Sequence, residues 1–296
     1  MMRRGYTLIE IIITIAITGI LSVGMFKAFE AITLRSEKAK ILATLSIDSQ
    51  SALDQISILL YNRAPMSVQG CDNAGHCEPL DGTLYTKTIL TWYGTASESY
   101  EAGDYSAFVD MNRSDYGTKM LYTPNTDFNA IQTTQTNKWG AFTWNNIGLI
   151  FSGTFDQGNP STYQISMSQS NQILFTGVAP TTIYEKYNLV DSAYAVARGA
   201  DIDKTAPCIT ALNLSATALD NTLFLFDDYR PWKTPTESFC ADSAAANRVG
   251  KVSILATQVN AFRAQTINGT IRLSIDTNRT VRGGNPVRLS KQKVVF

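Results

Sequence analysis

The feature that most constrains this chain is an uncharged run near its amino terminus. Residues 11–26 read IIITIAITGILSVGMF, and Glu10 is the only charged side chain between residues 4 and 27. As a helix rising about 1.5 Å per residue, residues 6–26 would extend roughly 30 Å, the hydrocarbon thickness of a bilayer. Arg3 and Arg4 precede the run, which favours a cytoplasmic amino terminus with the remainder of the chain outside. We therefore predict a single membrane span over residues 6–26.

Two other interpretations of the apolar run are weaker. The apolar part of a removable signal peptide is usually about 7–15 residues long and ends at a small-x-small cleavage site. Here the run is longer, and the KAFEA sequence that follows offers no such site. A buried helix of a soluble protein is also less consistent with an uncharged stretch of this length.

Glu10 is the exception within the run. A carboxylate in a spanning helix costs about 2.5–3.5 kcal/mol on insertion scales, so it needs a solvated position or a partner. A cation ~4 Å away at an effective dielectric constant near 20 would return about 4 kcal/mol. One hypothesis is that Glu10 pairs with a cation of a neighbouring molecule. The other is that Glu10 lies at headgroup depth and is simply hydrated.

The residues RRGYTLIE and the apolar run after them resemble the class III signal of type IV prepilins and type II secretion pseudopilins. This resemblance implies that Gly5 is the last leader residue and that Tyr6 is the first mature residue, N-methylated by prepilin peptidase. Glu10 then takes the place of the family's assembly glutamate, and the new α-amino group of a neighbouring subunit is its counter-charge. There are two departures: phenylalanine is the commoner first mature residue, and Lys27 stands where the family often has proline.

The resemblance also implies a fold, a location and partners. The expected fold is α+β and pilin-like, with a long amino-terminal helix packed on an antiparallel β-sheet head. The expected divisions are a leader (1–5), a helix (6–63, with 6–26 in the membrane) and a head (64–296). Expected partners are other pilin or pseudopilin subunits, prepilin peptidase, the assembly platform of the inner membrane, and the membrane itself. The chain is expected to cross the inner membrane once, with its head in the periplasm. It is then expected to move from the membrane into a filament in the periplasm or at the cell surface.

The helical pattern continues beyond the predicted span. No proline occurs before Pro65, and apolar residues recur at close to i, i+3/i+4 spacing, which predicts one buried helix face. These residues are Ile41, Leu45, Ala52, Ile56 and Leu60. Because the residue before a proline is disfavoured in a helix, we predict that the helix runs over residues 6–62 and ends near residue 63.

Strand-like segments follow in the head. They are residues 84–93, 141–152, 172–178, 222–226 and 252–266, with 288–296 as a candidate final strand. Asn268 and Gly269 suit a tight hairpin turn between residue 267 and the strand that follows.

The four cysteines indicate two disulfides if the head lies outside the cytoplasm. Three pairings are possible. We favour Cys71 with Cys77 and Cys208 with Cys240, because local closure is easiest and each pair lies in loop-like sequence. A metal site at Cys71, His76 and Cys77 is disfavoured, because the spacing is not that of zinc ligands.

The remaining composition argues against several activities. The 25 basic and 25 acidic residues balance without a basic cluster, so we expect no nucleic-acid partner. A single histidine, His76, excludes multi-histidine metal sites, and no G-x-S-x-G, H-E-x-x-H or P-loop motif occurs. Asp201 and Asp203 are weak calcium candidates without EF-hand spacing. We expect no cofactor and no enzymatic activity.

Two alternative functions remain open at this stage. One is a tip adhesin that binds a surface or DNA, with its tryptophans on an adhesive face. These are Trp92, Trp139, Trp144 and Trp232. The other is a tethered enzyme using His76 or the Asp227–Asp228 carboxylates.

Overall fold

The structure, a computed structural model, describes residues 7–80, 87–152, 162–267, 270–281 and 286–296. Its longest element is helix α1, Leu8–Tyr61, with 54 residues. The chain divides into two compact units, one of residues 1–47 with 278–289 and the other of residues 48–277 with 290–296. Each unit is described separately below.

The head contains short helices and many strands. The helices are α2 (Ser97–Glu101), α3 (Phe128–Trp139), α4 (Pro207–Thr210) and α5 (Ala216–Asp220). The strands are β1 (Gln69–Cys71), β2 (Cys77–Pro79), β3 (Ile89–Thr95), β4 (Met120–Tyr122), β5 (Gly148–Phe151), β6 (Tyr163–Gln169), β7 (Gln172–Phe175), β8 (Tyr187–Arg198), β9 (Leu223–Tyr229), β10 (Ser238–Phe239), β11 (Arg248–Val249), β12 (Lys251–Ala256), β13 (Val259–Ile267), β14 (Thr270–Thr280) and β15 (Pro286–Val295).

The main sheet has ten strands and is antiparallel. Eight of them follow the order β2-β1-β3-β8-β5-β6-β7-β4, while β9 pairs with β8 and β12 pairs with β9. Strand β8 is therefore central, since it pairs with β3, β5 and β9. A second sheet has the order β13-β14-β15, and β10 pairs with β11 in parallel. A long amino-terminal helix followed by an antiparallel sheet domain confirms the predicted α+β class.

The carboxy-terminal part of α1 packs against the head. Leu53, Ile56 and Leu60 are fully buried in one apolar cluster with Trp92 of β3 and Leu273 of β14. Burial of such side chains contributes about 1.5–3 kcal/mol each. The five apolar positions predicted for the buried face of the helix are all buried.

Polar contacts also join this part of α1 to the last strand. Lys293 Nζ of β15 donates to Asp54 Oδ1 at 2.6 Å, and Lys291 Nζ donates to Gln50 Oε1 at 3.3 Å. The carboxy-terminal strand is thus held on the helix by two adjacent pairs.

The other unit has a small core of its own. Ile41 and Leu45 of α1 are buried with Val281, and Leu34, Val287 and Leu289 pack around them. Leu34 is the first described residue of α1 in this cluster.

Several strand predictions are corrected. Of residues 84–93, the part from Ile89 is strand and residues 84–86 lie outside the described residues. Of residues 141–152, Trp144–Asn146 is a 3₁₀ helix and only Gly148–Phe151 is strand. A single strand over residues 252–266 is wrong, because β12 and β13 are separated by Gln258, which has a φ of 61°.

The predicted terminal hairpin is confirmed as the antiparallel pair β13 and β14, while its turn at Asn268 and Gly269 lies outside the described residues.

Candidate functional site

The amino-terminal turn of α1 contains the residues that the sequence analysis singled out. Gly5 and Tyr6 lie outside the described residues. Thr7 directly precedes the helix, and both its backbone N–H and its hydroxyl donate to Glu10 Oε2 at 3.4 Å. This is the T-x-x-E arrangement of a capping box, in which the glutamate satisfies a backbone donor at the helix start. A negative charge in the first turn is also favoured by the helix dipole.

Glu10 lacks a counter-charge within the described part of the chain. No ion pair is formed with its carboxylate there, and its two hydrogen bonds to Thr7 are long. The side chain is exposed on the helix surface. It is therefore placed to accept a cation from outside the chain.

The helix around Glu10 is apolar on every side. Large apolar side chains from Leu8 to Ile32 are between 49% and 78% exposed. They are Leu8, Ile9, Ile11, Ile12, Ile13, Ile15, Ile17, Ile20, Leu21, Val23, Met25, Phe26, Phe29 and Ile32. A helix that is apolar all round belongs in an apolar environment, which is lipid or other helices.

Three hydroxyl groups of helix α1 donate to the helix's own backbone. Thr14 Oγ1 donates to the Glu10 carbonyl at 2.6 Å, Ser22 Oγ donates to the Thr18 carbonyl at 2.7 Å, and Thr33 Oγ1 donates to the Phe29 carbonyl at 2.9 Å. Hydrogen bonds to the carbonyl four residues earlier remove the need for water. Thr14 and Ser22, which lie within the predicted span, can therefore be placed in lipid at a small cost.

Among the described residues, α1 is the one helix that is long and apolar enough to cross a membrane. Its best 18-residue window has a mean hydropathy of 2.2, and none of that window is buried within the chain.

Residues 1–26 match the family model of the prokaryotic N-terminal methylation motif. The chain carries the signature of type IV prepilin-like proteins. That motif supports a precursor processed by prepilin peptidase and, in general, interaction with other pilins. Together with the apolar helix it fits a prepilin-like protein anchored with its amino terminus in the membrane. No curated protein and no solved structure matches this chain.

The cysteines of the head form two disulfides. Cys71 is bonded to Cys77, six positions away, and Cys208 to Cys240, 32 positions away. This is the pairing favoured from the sequence. The first bond closes the β1–β2 hairpin, and the second lies in the apolar cluster that contains Phe226 and Phe239.

The calcium candidates are each paired with an arginine. Asp201 Oδ2 accepts from Arg198 Nε at 3.3 Å, while Asp203 pairs with Arg248. Hydrogen bonds from the Thr205 hydroxyl, and then from Arg248, lower the pKa of Asp203 to about 2. No group of three or more potential metal ligands occurs in the described ranges.

The residues considered for a tethered enzyme lie in separate settings. His76 is exposed beside Asp72, with 3.5 Å between Nδ1 and Oδ2. Asp228 Oδ1 accepts from Arg230 at 2.8 Å, and its Oδ2 lies 3.1 Å from Lys251 Nζ. Burial raises the pKa of Asp227. No hydrogen bond or ion pair links His76 to either aspartate within the described chain.

The tryptophans do not form an exposed face. Trp92 and Trp232 are buried, while Trp139 and Trp144 are half-buried. Trp92 stacks on Tyr194 with ring centroids 5.5 Å apart, and Trp144 packs edge-on against Phe128. Trp92, Trp144 and Trp232 belong to apolar clusters of the head, and the four rings do not form one exposed adhesive face.

Proposed function

We propose that this prepilin-like chain is a minor pilin or pseudopilin that assembles into, or primes, a type IV pilus or a type II secretion pseudopilus. Cleavage after Gly5 and N-methylation of Tyr6 give the mature subunit. The head lies in the periplasm or outside the cell. The activity is assembly and not catalysis, and the assembly platform of the inner membrane is its further partner. The observation that carries the proposal is Glu10, an exposed carboxylate on an apolar helix that forms no ion pair with any cation of the described residues.

The energetic argument concerns the transfer from lipid to filament. In the membrane, the carboxylate of Glu10 costs about 2.5–3.5 kcal/mol. The hydrogen bonds from Thr7 offset part of this cost. In a filament, the new α-amino group of a neighbour at ~4 Å supplies about 4 kcal/mol at an effective dielectric constant near 20. The apolar helix surfaces then pack on each other, and the ion pair fixes their register.

The size of the head supports a minor component. Residues 64–296 exceed what a bulk filament subunit of this family usually carries. A subunit present in few copies can carry a large head without crowding the shaft of the filament. In this family the subunit at the outermost tip tends to lack the glutamate. Because this chain retains Glu10, we place it below the tip.

The deciding experiment compares two carboxylates of the same helix. Glu10→Ala should leave cleavage and methylation intact but abolish co-assembly with partner subunits, because the register-setting charge is lost. Glu10→Gln should do the same, since it keeps the shape without the charge. Glu30→Ala is the matched control, because Glu30 is exposed on α1 but lies beyond the uncharged run. The readout is the amount of this chain in sheared or cross-linked filament fractions. Normal incorporation of Glu10→Ala would contradict the proposal.

A further inference from the structure

A charged cluster surrounds a buried aspartate in the head. Lys138, at the end of α3, has its Nζ 2.7 Å from Asp191 Oδ2 and 2.8 Å from Glu98 Oε2. The indole N–H of Trp139 also donates to Asp191 Oδ2, at 3.3 Å. One amine thus contacts two carboxylates, from α2 and from the central strand β8.

Asp191 is the unusual member of this cluster. Its side chain is 1% exposed, and both of its hydrogen bonds fall on Oδ2, whereas Oδ1 is buried without a partner. A buried ion pair recovers its desolvation cost only when its remaining oxygen atoms are also hydrogen-bonded. Oδ1 of Asp191 is therefore removed from water without a compensating hydrogen bond, which destabilises the folded state.

We propose that Lys138 and Asp191 condense into an intramolecular amide bond, with Glu98 transferring the proton. Lys138 Nζ attacks Cγ of Asp191, the new Nζ–Cγ bond forms, and one Cγ–Oδ bond breaks. The oxygen leaves as water, which takes up two hydrogens from the amine and the acid. No oxidant, metal or cofactor takes part. The amide oxygen that remains keeps the Trp139 N–H, and the unpartnered oxygen is lost.

The positions of the three groups suit each step. Cγ is bonded to the oxygen that Nζ contacts at 2.7 Å, so the packing of the head already holds the nucleophile beside the carbon that it would attack. Glu98 Oε2 lies 2.8 Å from the attacking amine, so it can take the proton that Nζ loses as the new bond forms.

The protonation states are set by burial and by the second carboxylate. Burial raises the pKa of Asp191, which favours the neutral acid that amide formation requires. Burial alone would lower the pKa of Lys138, but its two carboxylate neighbours raise it above the usual value. The amine must therefore hand its proton to a carboxylate inside the cluster, and the short hydrogen bonds to Asp191 and Glu98 provide that route.

A second buried pair in the same head serves as an internal control. Lys233 Nζ lies 2.9 Å from Glu237 Oε1, and both side chains are largely buried. Glu237 Oε2 accepts from the backbone N–H of Arg230 at 2.9 Å, so both of its oxygens are satisfied. No second carboxylate contacts Lys233 among the described residues. This pair is expected to remain an ordinary salt bridge.

Peptide mapping of the full chain, purified in detergent and then reduced and denatured, tests the proposal. Trypsin should leave Lys138 uncut, because its amine is acylated. Residues 120–186 should then be joined to residues 187–198, with a mass one water below their sum. Residues 205–233 and 234–248 provide the control, and the peptide containing Glu237 should have its full mass. Cleavage at Lys138 with no joined peptide would overturn the proposal.

Three variants assign the roles. Lys138→Arg keeps the cation but should lose the joined peptide. Asp191→Asn should yield the same amide as the native chain, releasing ammonia in place of water. Glu98→Gln alters only a half-exposed residue of α2 and should slow bond formation by about 10²- to 10⁴-fold, the usual contribution of a proton-transfer group. A joined peptide in Lys138→Arg, or an unchanged rate in Glu98→Gln, would contradict the assignment of that residue.

Discussion

Replacement of Ile56 by alanine tests whether α1 is a structural part of the head. Ile56 is fully buried in the cluster with Trp92 and Leu273, so the change removes three carbon atoms from a closed apolar site. At about 0.8 kcal/mol per methylene the transfer loss alone is about 2.4 kcal/mol, and the cavity term raises the expected total towards the upper part of the roughly 2–5 kcal/mol range for such changes. For a head of this size, a loss of about 3 kcal/mol lowers Tm by roughly 6–12 °C.

The matched control lies two residues further along the same helix. Ile58 is 66% exposed, so Ile58→Ala removes the same atoms without opening a cavity. Alanine has the higher helix propensity, and we expect a change within about 0.5 kcal/mol. Both variants are measured by thermal and urea unfolding in detergent, followed by tryptophan fluorescence. Equal losses of stability in the two variants would refute the packing of this helix face on the sheet.

Two further predictions concern the head. Removing Cys208–Cys240 by double alanine substitution should cost about 4 kcal/mol of unfolding free energy, and removing Cys71–Cys77 about 2 kcal/mol, because the longer loop restricts the unfolded chain more. A larger loss for the short loop in urea titrations would contradict this. Asp203 has a pKa lowered from 3.8 to about 2, so its stabilising effect is present above pH 3.8 and is lost as the pH falls towards 2. Asp203→Asn should make the acid dependence of unfolding shallower across that interval; an unchanged slope would count against the Arg248 pair.

The long helix was predictable because its pattern is local. A 3.6-residue period needs only neighbouring residues, and the predicted buried face from Ile41 to Leu60 is the observed one. Glu10 could also be identified from the sequence alone, since it is one charge within an uncharged run.

The central strand β8 could not be recognised in the same way. Its sequence YNLVDSAYAVAR contains aspartate and serine among alanines, and nearly all of it is buried, so the alternation that marks a half-exposed strand is absent. Helix α3 was missed for the opposite reason, because its threonines and glutamines give only a weak apolar period. Asp127 at its start, which accepts from the Asn129 N–H, was the available signal.

The Lys138 cluster was also beyond sequence reasoning. Lys138 and Asp191 are 53 positions apart, and Glu98 lies a further 40 positions before Lys138. Only the packing of α2 and α3 beside β8 brings the three side chains together. Polar residues with no local motif become a site only when the tertiary structure is known.

The most direct test of the account is the amino-terminal peptide of the protein isolated from its native membranes. Sequencing and mass measurement should find a chain that begins at Tyr6, carries one extra methyl group on its α-amino nitrogen, and retains residues 6–26. A chain that still begins at Met1, or one from which residues 6–26 have been removed, would contradict the assembly role assigned to Glu10.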